Sequence, residues 1–325
     1  MQTHACAALA ILPGYTFAPM PADAPNRSPR TQLWTVAELL QWTCDRFTRE
    51  GLAEPRADAL HLLAQALGCE RMQIYLRFDQ IVDEPTRGTL RELIRRRLAR
   101  EPVAYIAGRR GFHALGLDLG VDRRVLIPRP ETEHLVDWLL EGLPFAPSPV
   151  AVLDVGTGSG AIALAIKHAR RDVEVTAIDR SDDALAVARE NASRLALELH
   201  FTRSDLLDDL TPPEFGWHAI AANLPYIPTA DIAGLQPEVR QFEPHLALDG
   251  GPDGLDLVRR LIEHSPARLA PGGRLLLEIG IGQAEQTRAA LAQRGFVDIA
   301  TRRDLGGIER IVAGTWPAPA IDQSP

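Results

Sequence analysis

The spacing of apolar residues divides the chain into a first part with helical periodicity and a second part in which strands and helices alternate. Over residues 34–100, apolar positions recur every three to four residues, which is typical of helices that bury one face. Thr35–Glu38 has the pattern of a capping box, and Gly68 is placed to end a helix. We therefore predict a small helical bundle. Its helices begin at Val36, Pro55, Arg71 and Pro85.

The segment 101–130 follows a different pattern. Apolar and polar residues alternate over Leu117–Val121, and Gly116 precedes them. Alternation with a period of two is typical of a half-buried strand, and glycine favours the turn beside it. The segment is therefore predicted to be a β-hairpin that links two domains.

From residue 131 onward, short apolar runs alternate with amphipathic segments. The short runs predict buried strands, and the segments with helical period predict helices between them. This alternation indicates a mainly parallel, doubly wound α/β sheet. The predicted strands are 150–155, 173–178, 197–201, 218–222, 273–279, 296–300 and 309–313. The predicted helices are 131–142, 161–169, 182–195, 255–269 and 283–294.

The two ends of the chain lack these patterns. Residues 1–33 contain five prolines and no sustained apolar period, so we predict a disordered extension there and a flexible tail over 316–325. The apolar run Ala5–Leu12 has no basic stretch before it, as a signal peptide would, and no apolar run is long enough to span a bilayer. These features favour a cytoplasmic location.

Composition and charge narrow the classes of function. The three cysteines form no C-x-x-C pair, which argues against a zinc or disulfide framework and fits a reducing compartment. The net charge of −8 is uneven, because residues 34–130 carry a net +3 and residues 131–325 a net −12. An acidic second part argues against broad binding to a nucleic-acid backbone, which requires clustered cations. The arginines of the fourth helix are predicted to face largely outward; they are Arg91, Arg95, Arg96 and Arg97.

The first predicted strand of the sheet leads into a glycine-rich turn. Its residues are Gly156, Thr157, Gly158, Ser159 and Gly160. Glycines let the backbone approach a ligand closely, and the free N–H groups of the following helix attract polar groups. The turn also fits the loose dinucleotide fingerprint G-x-G-x-x-G/A. Taken alone, it leaves NAD and S-adenosylmethionine (SAM) open as the ligand.

Acidic residues stand at the ends of the neighbouring strands. Asp179 ends the second strand, where it can accept hydrogen bonds from two ribose hydroxyls. Asp205 follows the third strand, where it can accept from an adenine amino group while the backbone at Leu206 meets the ring. Asp154 precedes the first glycine and can contact the ammonium end of SAM directly or through water. Together with the segment after the fourth strand, these positions favour SAM over NAD.

That segment is Asn223–Tyr226, of sequence Asn-Leu-Pro-Tyr. An amide or aniline-like nitrogen is a poor nucleophile because its lone pair is delocalised. The side-chain oxygen of Asn223 and the backbone carbonyl of Leu224 can accept from its two N–H groups and favour positive charge on it during attack. Pro225 stiffens the turn, and Tyr226 can stack on a flat acceptor. The segment predicts methyl transfer to a planar nitrogen, with no metal and no covalent nucleophile.

Over about residues 34–312, these motifs resemble those of the HemK/PrmC family of protein-(glutamine-N5) methyltransferases. Many SAM enzymes share the glycine motif, whereas the sequence Leu-Ile-Pro-Arg-Pro-Glu-Thr-Glu at 126–133 is much more specific. Further matching motifs are Glu-Pro-Val-Ala-Tyr-Ile at 101–106, Glu-Pro-His-Leu-Ala-Leu at 243–248, Gly-Gly-x-Asp-Gly-Leu at 250–255 and Asp-Leu-x-Gly-x-x-Arg at 304–310.

The resemblance implies three units and a reaction. They are a helical N-terminal domain over 34–100 that binds a release factor, a hairpin linker over 101–130, and a seven-stranded, Rossmann-like, SAM-dependent methyltransferase domain over 131–315. The implied reaction methylates the side-chain nitrogen of the glutamine in the Gly-Gly-Gln motif of peptide chain release factors. We further predict a cytoplasmic monomer that binds no metal, no membrane and no nucleic acid directly.

The family's functional residues carry over by position. SAM is then bound by Gly156, Thr157, Gly158, Ser159, Gly160, Asp179, Asp205, Leu206 and Asn223. The glutamine amide is held by Asn223, Leu224, Pro225 and Tyr226. The catalytic residues among them are Asn223, Pro225 and Tyr226.

One position departs from the family pattern, which usually reads Asn-Pro-Pro-Tyr. Leu224 stands at the second position, and because it acts through its backbone carbonyl, the chemistry is expected to survive. Asn-Leu-Pro-Tyr also resembles the motif of rRNA adenine N6-dimethyltransferases, so a nucleic-acid adenine N6-methyltransferase stays open. A ribosomal protein glutamine N5-methyltransferase, an NAD-dependent oxidoreductase and a SAM-binding regulator stay open as well. The histidines His113, His134 and His245 lack partners at a catalytic or metal spacing.

Overall fold

The computed structural model describes residues 33–144, 149–208 and 210–318. The predictions for residues 1–32 and 319–325 fall outside these ranges. Within them, no helix has the length and apolar character needed to cross a membrane.

A helical bundle forms the first part of the described chain, as predicted. The capping box at Thr35 is present, with Glu38 N–H donating to the Thr35 hydroxyl and the Glu38 carboxylate accepting from Thr35 N–H at 2.8 Å. Gly68 ends the second helix with a φ of 60°, where glycine has no Cβ to clash. The elements are β1 (Trp34–Thr35), α1 (Val36–Arg49), α2 (Pro55–Leu67), α3 (Arg71–Tyr75), β2 (Ile81–Val82) and α4 (Glu84–Leu98), and β1 pairs with β2 in a short ladder that the sequence did not predict.

Arg97 departs from the prediction that the α4 arginines face outward. Its side chain is only 7% exposed and donates to Asp58 on α2 at 2.7 Å. It also pairs with Glu238 at 3.1 Å, and Glu238 lies beyond the glycine-rich turn in the second half of the chain. A buried arginine requires acceptors for its several N–H groups. Arg97 therefore connects the helical bundle to the sheet-containing part.

Replacement of Arg97 by methionine is expected to lower the free energy of unfolding by about 3–5 kcal/mol, because it leaves the buried Asp58 carboxylate without its partner. Urea unfolding followed by circular dichroism measures the change. Arg95→Met on the same helix is the matched control, since the Arg95 side chain is 70% exposed and, among the described residues, forms an ion pair with Glu92 alone. It should leave the urea midpoint nearly unchanged. Equal midpoints for the two variants would contradict the linking role.

The segment 101–130 contains the predicted hairpin, and before it a short helix that was not predicted. The hairpin packs against the second part of the chain, because Leu117 and Leu119 are buried in the same core as the sheet. Asn191 fixes it further, accepting from Gly120 N–H at 2.7 Å and donating to Gly120 C=O at 3.0 Å. The elements are α5 (Val103–Ala107), β3 (Arg109–Phe112) and β4 (Leu117–Gly120).

The second part is a seven-stranded α/β sheet, as predicted. Its strands are β5 (Ala151–Val155), β6 (Glu174–Asp179), β7 (His200–Arg203), β8 (Trp217–Ala222), β9 (Leu269–Glu278), β10 (Val297–Arg303) and β11 (Glu309–Thr315). Its helices are α6 (Pro130–Gly142), α7 (Ala161–Ala169), α8 (Asp182–Arg194), α9 (Pro237–Phe242), α10 (Asp256–His264) and α11 (Ala284–Arg294). Short 3-10 helices cover Thr229–Gly234, His245–Ala247 and Ser265–Ala267.

The strand order places the carboxyl ends of five parallel strands side by side. The order is β7-β6-β5-β8-β9-β11-β10; the first five strands are parallel, and β11 runs antiparallel to both of its neighbours. The chain leaves β5 toward β6 on one side and returns to β8 on the other. Such a switch in direction opens a crevice at the carboxyl ends of the strands. Separate apolar cores fill the two faces of the sheet.

Two predicted boundaries are wrong for identifiable reasons. The helix predicted over 255–269 ends at His264, because the chain continues into a 3-10 turn containing Pro266 and then enters β9 at Leu269. The flexible tail predicted from residue 316 does not begin there. The Trp316 ring packs on Phe296 with centroids 5.4 Å apart, and the backbone N–H of Trp316 donates to the Gly273 carbonyl at 2.7 Å. An isolated tryptophan at a chain end gives no period from which this packing could be predicted.

Candidate active site

The glycine-rich turn lies where β5 ends. Gly156 and Thr157 N–H groups both donate to the Ile178 carbonyl of β6 at 2.9 Å, which holds the turn against the neighbouring strand. The φ angles of Gly156, Gly158 and Gly160 are 73°, 55° and 85°, values that residues with a Cβ rarely adopt. Nothing lies within 4 Å of the position that a Cβ on Gly158 would take. The turn therefore presents backbone to open space.

Asp179 lies directly beside this turn, at the end of β6. One carboxylate oxygen accepts from Gly158 N–H at 3.0 Å and the other from Ser181 N–H at 2.9 Å. Burial raises the pKa of Asp179, while these backbone donors act in the opposite direction. Each oxygen keeps a second lone pair. The carboxylate is thus fixed in orientation and can still accept hydrogen bonds from a ligand.

Asp154 does not line the cleft, so the predicted direct contact with a ligand is wrong, and the alternative of a contact through water stays a prediction. It is fully buried and accepts from the Thr157 hydroxyl at 2.6 Å and from Ala163 N–H at 3.2 Å. Burial raises its pKa to about 7. Ser159 is also buried, and its carbonyl accepts from Asn191 at 2.9 Å. Asp154 therefore stabilises the glycine-rich turn through its hydrogen bonds to Thr157 and Ala163.

Asp205 and Leu206 follow β7 and line the same cleft. The Asp205 side chain is 46% exposed and accepts from Arg260 at 3.2 Å. Leu206 has a φ of 53° and a buried side chain. A residue with a Cβ rarely adopts this conformation, and such strain is found preferentially at binding sites. The two residues form the far wall of the cleft from Asn223.

Asn223 begins the loop after β8 and is oriented by a neighbour from another element. Its side-chain Nδ2 donates to the hydroxyl of Thr132, in the first turn of α6, at 3.0 Å. No donor among the described residues bonds the Asn223 Oδ1 atom or the Leu224 carbonyl oxygen. Asn223, Leu224 and Pro225 all line the cleft. The loop therefore places two hydrogen-bond acceptors, for which no described residue supplies a donor, in the same cleft as the glycine-rich turn.

Leu224, the position that departs from the family pattern, packs inward. Its side chain is buried in the core on one face of the sheet. A Cβ placed on Gly156 would lie 3.1 Å from its Cδ2 atom. The side chain thus braces the glycine-rich turn, and the residue's backbone borders the cleft.

Tyr226 lies beyond the cleft lining rather than within it. Burial raises its pKa to about 12, with the nearby Glu278 carboxylate acting in the same direction. Its carbonyl accepts from Gln283 at 2.9 Å, and Gln283 also bonds Asp253 C=O at 3.2 Å and Gly280 N–H at 2.8 Å. Gln283 thereby ties three loops together. The sequence alone does not reveal this role, because nothing in the local pattern distinguishes a helix-start glutamine with distant partners.

The specific motif at 126–133 is joined to the motif at 243–248. Arg129 donates to the buried Glu243 at 2.6 Å, and burial raises the pKa of Glu243 while Arg129 acts in the opposite direction. This ion pair anchors the start of the motif at 243–248, of which Pro244 and Leu246 line the cleft. The whole cleft encloses about 1020 Å³ of space, counting its open mouth.

Comparison with known proteins places the chain in a family. A model of the PrmC N-terminal domain matches residues 38–108, and a model of the methyltransferase small domain matches residues 135–231. The release factor glutamine methyltransferase of Geobacter sulfurreducens is 40% identical over 285 residues, 88% of this chain and 98% of that protein. The enzyme of the same name from Rhodopirellula baltica is 42% identical over 299 residues, 90% of this chain and 98% of that protein.

The chain belongs to the release factor glutamine methyltransferase family.

The fold of this methyltransferase is shared by enzymes that are remote in sequence. The hMettl16 catalytic domain, solved in complex with MAT2A 3'UTR hairpin 6, covers 63% of this chain and 77% of its own, with 15% identity and a TM-score of 0.50. At that identity the likeness shows the fold alone. The loops at the strand ends, rather than the sheet, must therefore distinguish substrates.

Replacement of Gly254 by alanine is expected to disturb the loop after β8, which contains Asn223–Tyr226. A Cβ there would lie 2.2 Å from the Tyr226 carbonyl oxygen and 2.6 Å from Gln283 Nε2, at a φ of 78°. We expect a loss of about 2 kcal/mol in the free energy of unfolding, measured by urea titration, together with a lower kcat. Gly234→Ala is the control, since nothing lies within 4 Å of its Cβ position. If both variants behaved alike, Gly254 would have no such role.

Proposed function

We propose that this enzyme transfers a methyl group from SAM to the side-chain N5 of the glutamine in the Gly-Gly-Gln motif of a peptide chain release factor. Family membership supports the reaction class, because the relatives bear the name of that activity. The observation that carries the proposal is the pair of acceptors at the cleft, Asn223 Oδ1 and the Leu224 carbonyl oxygen, which lack protein donors within the described ranges. A primary amide offers two N–H groups to such a pair.

The residues of the cleft fit SAM. We assign its binding to the strand-end loops: Asp179 would accept from the ribose hydroxyls, and Asp205 with the Leu206 backbone would meet the adenine. The open space at Gly158 admits a ligand against the backbone. When bound, SAM supplies a methyl group on a positively charged sulfur. The proposed cofactor residues are Gly156, Thr157, Gly158, Ser159, Gly160, Asp179, Asp205, Leu206 and Asn223.

The acceptor residues act on the nitrogen that receives the methyl group. Asn223 Oδ1 and the Leu224 carbonyl oxygen would accept from the two N–H groups and so fix the position of the nitrogen relative to the methyl group. The same two acceptors would stabilise the positive charge that develops on the nitrogen as it attacks. Pro225 would limit the motion of the loop. The Tyr226 ring would stack on the flat amide once the substrate is bound, although Tyr226 itself does not line the cleft. Alignment and electrostatic stabilisation then provide the catalysis, and no residue of the chain needs to form a covalent bond.

The rest of the chain would serve the protein substrate. We propose that residues 34–100 bind the release factor, that 101–130 link them to a methyltransferase domain over 131–315, and that the enzyme works as a cytoplasmic monomer. The Arg97–Glu238 ion pair supports a fixed relation between the two domains. We propose no direct contact with nucleic acid, because residues 131–325 carry a net charge of −12 and a nucleic-acid backbone is bound by clustered cations.

Transfer of labelled methyl from SAM to two acceptors in parallel tests this function. A purified release factor should take up label, and bare rRNA should not. Label on rRNA alone would mean that Asn-Leu-Pro-Tyr marks an adenine methyltransferase instead. Calorimetry with SAM, S-adenosylhomocysteine and NAD tests for an oxidoreductase, since the proposal requires binding of the first two and none of the third.

A further inference from the structure

We propose that Thr132 and Glu278 are positioning residues that determine which end of the Asn223 side-chain amide faces the acceptor. The inference rests on the proposed function, because it concerns the atom that would hold the glutamine nitrogen. An amide side chain can turn by half a rotation and present either a carbonyl oxygen or an NH2 group. Only the oxygen can accept from the N–H groups of a substrate.

Side chains from three separate elements lie together beside the cleft. Asn223 Nδ2 donates to the Thr132 hydroxyl at 3.0 Å. The Thr132 hydroxyl also lies beside the carboxyl group of Glu278, the last residue of β9, and lowers the pKa of that carboxyl. Thr132 and Glu278 are 3% and 1% exposed. Within the described ranges, Glu278 Oε2 has no hydrogen-bond partner.

The chemistry of Glu278 sets the direction of the hydrogen bonds that run from Asn223 through Thr132. An ionised carboxylate only accepts, so the single proton of the Thr132 hydroxyl must point to Glu278. The hydroxyl then has only lone pairs to offer to Asn223, which must turn its NH2 group toward Thr132. The Asn223 Oδ1 atom is thereby left facing the cleft. Donation along such a chain also polarises its members, which makes Oδ1 a stronger acceptor.

Charged groups surround the Glu278 carboxyl. Burial raises its pKa to about 7; Glu131 acts in the same direction, and Thr132, Arg310 and Arg129 act against it. Burial raises the pKa of the nearby Tyr226, and the Glu278 carboxyl acts in the same direction. Raising the pH favours the ionised form of Glu278, in which the hydrogen bonds from Asn223 to Thr132 and from Thr132 to Glu278 have a fixed direction.

The composition of the chain allows a direct test that needs no protein substrate. The sequence contains three asparagines, Asn26, Asn191 and Asn223, so selective 15N labelling of asparagine gives three side-chain NH2 signals. The Asn223 signal is identified by its loss in Asn223→Ala. In Thr132→Val it should shift and its protons should exchange faster with water, because their acceptor is gone. In Thr132→Ser both properties should return to the wild-type values.

Kinetics then test whether the orientation matters for transfer. Thr132→Val should lower kcat by about 30-fold, with the Kd for SAM and the KM for the release factor changed by less than about threefold. Thr132→Ser should recover kcat to within about threefold. Glu278→Gln should cost about tenfold in kcat, because a glutamine can donate as well as accept and so imposes no direction. Ser265→Ala is the matched control, since this buried hydroxyl donates to the Ile262 carbonyl at 3.2 Å and has no other side-chain hydrogen bond in the part of the chain that the structure describes.

Several results would overturn the proposal. An unchanged Asn223 signal in Thr132→Val would show that the hydroxyl does not hold the amide. Failure of serine to rescue kcat, or a loss of SAM affinity in parallel with kcat, would make Thr132 a packing residue. If the release factor is not methylated by the wild-type enzyme, the proposed function fails while the signals still decide the orientation. Thermal midpoints of each variant exclude unfolding as the cause.

Discussion

Replacement of Asn223 by alanine is expected to lower kcat for methyl transfer by about 10³-fold, as does removal of one preorganised polar group at a site of developing charge. The side chain supplies an acceptor at the cleft, and its Nδ2 atom is already committed to Thr132 at 3.0 Å. The Leu224 carbonyl would remain, so one of the two N–H contacts would be lost along with the alignment it provides. The Kd for SAM should change by less than about tenfold, because most of the proposed cofactor contacts come from other loops.

Single-turnover transfer and calorimetry measure the two quantities separately. Gln293→Ala is the control for removal of an amide side chain, since Gln293 is exposed on α11. It should leave kcat unchanged. Normal turnover by Asn223→Ala would show that the acceptor nitrogen is held elsewhere, and a proportional loss of SAM affinity would make Asn223 a cofactor residue alone.

Asp179→Ala is expected to raise the Kd for SAM by about 10²-fold. Hydrogen bonds to a charged group contribute about 1.5–3 kcal/mol each, and the Asp179 carboxylate is held in place by backbone donors at 2.9 and 3.0 Å. Asp205→Ala should cost much less, about fivefold. The Asp205 side chain is 46% exposed and shares its oxygen with Arg260, so water and a competing cation weaken its contact with a ligand.

Isothermal calorimetry with SAM gives both dissociation constants. The ranking is the informative result, because both variants remove a carboxylate from the same cleft. If the two affinities fell equally, the ribose contact assigned to Asp179 would be wrong. A thermal melt of Asp179→Ala accompanies the measurement, since the side chain also accepts hydrogen bonds from the Gly158 and Ser181 N–H groups.

Local patterns predicted much of the fold and the arrangement of the site. The capping box at Thr35 and the glycine at position 68 mark helix ends with short-range hydrogen bonds, so they are visible in a few residues. The seven strands follow from apolar runs separated by helices. Because the carboxyl ends of parallel strands meet at one edge, residues as distant as Gly158 and Asn223 were expected to lie in one cleft, and they do.

Contacts between distant elements were not predictable in the same way. Arg97 lies in a run of arginines, and only its pairing with Asp58 and Glu238 explains its burial. Glu278 ends an apolar strand and has no partner within its own segment. Its contact with Thr132 depends on how α6 packs across the end of β9. Such pairings are set by tertiary structure, which a periodicity in the sequence does not encode.

The most direct measurement compares methyl transfer from labelled SAM to two forms of one release factor, the native protein and a form with Gly-Gly-Gln changed to Gly-Gly-Ala. We expect label on the native factor, located on the glutamine side chain by mass spectrometry, and none on the altered one. Equal labelling of the two forms would contradict the proposed function, because the pair of acceptors formed by Asn223 and Leu224 would then serve another group.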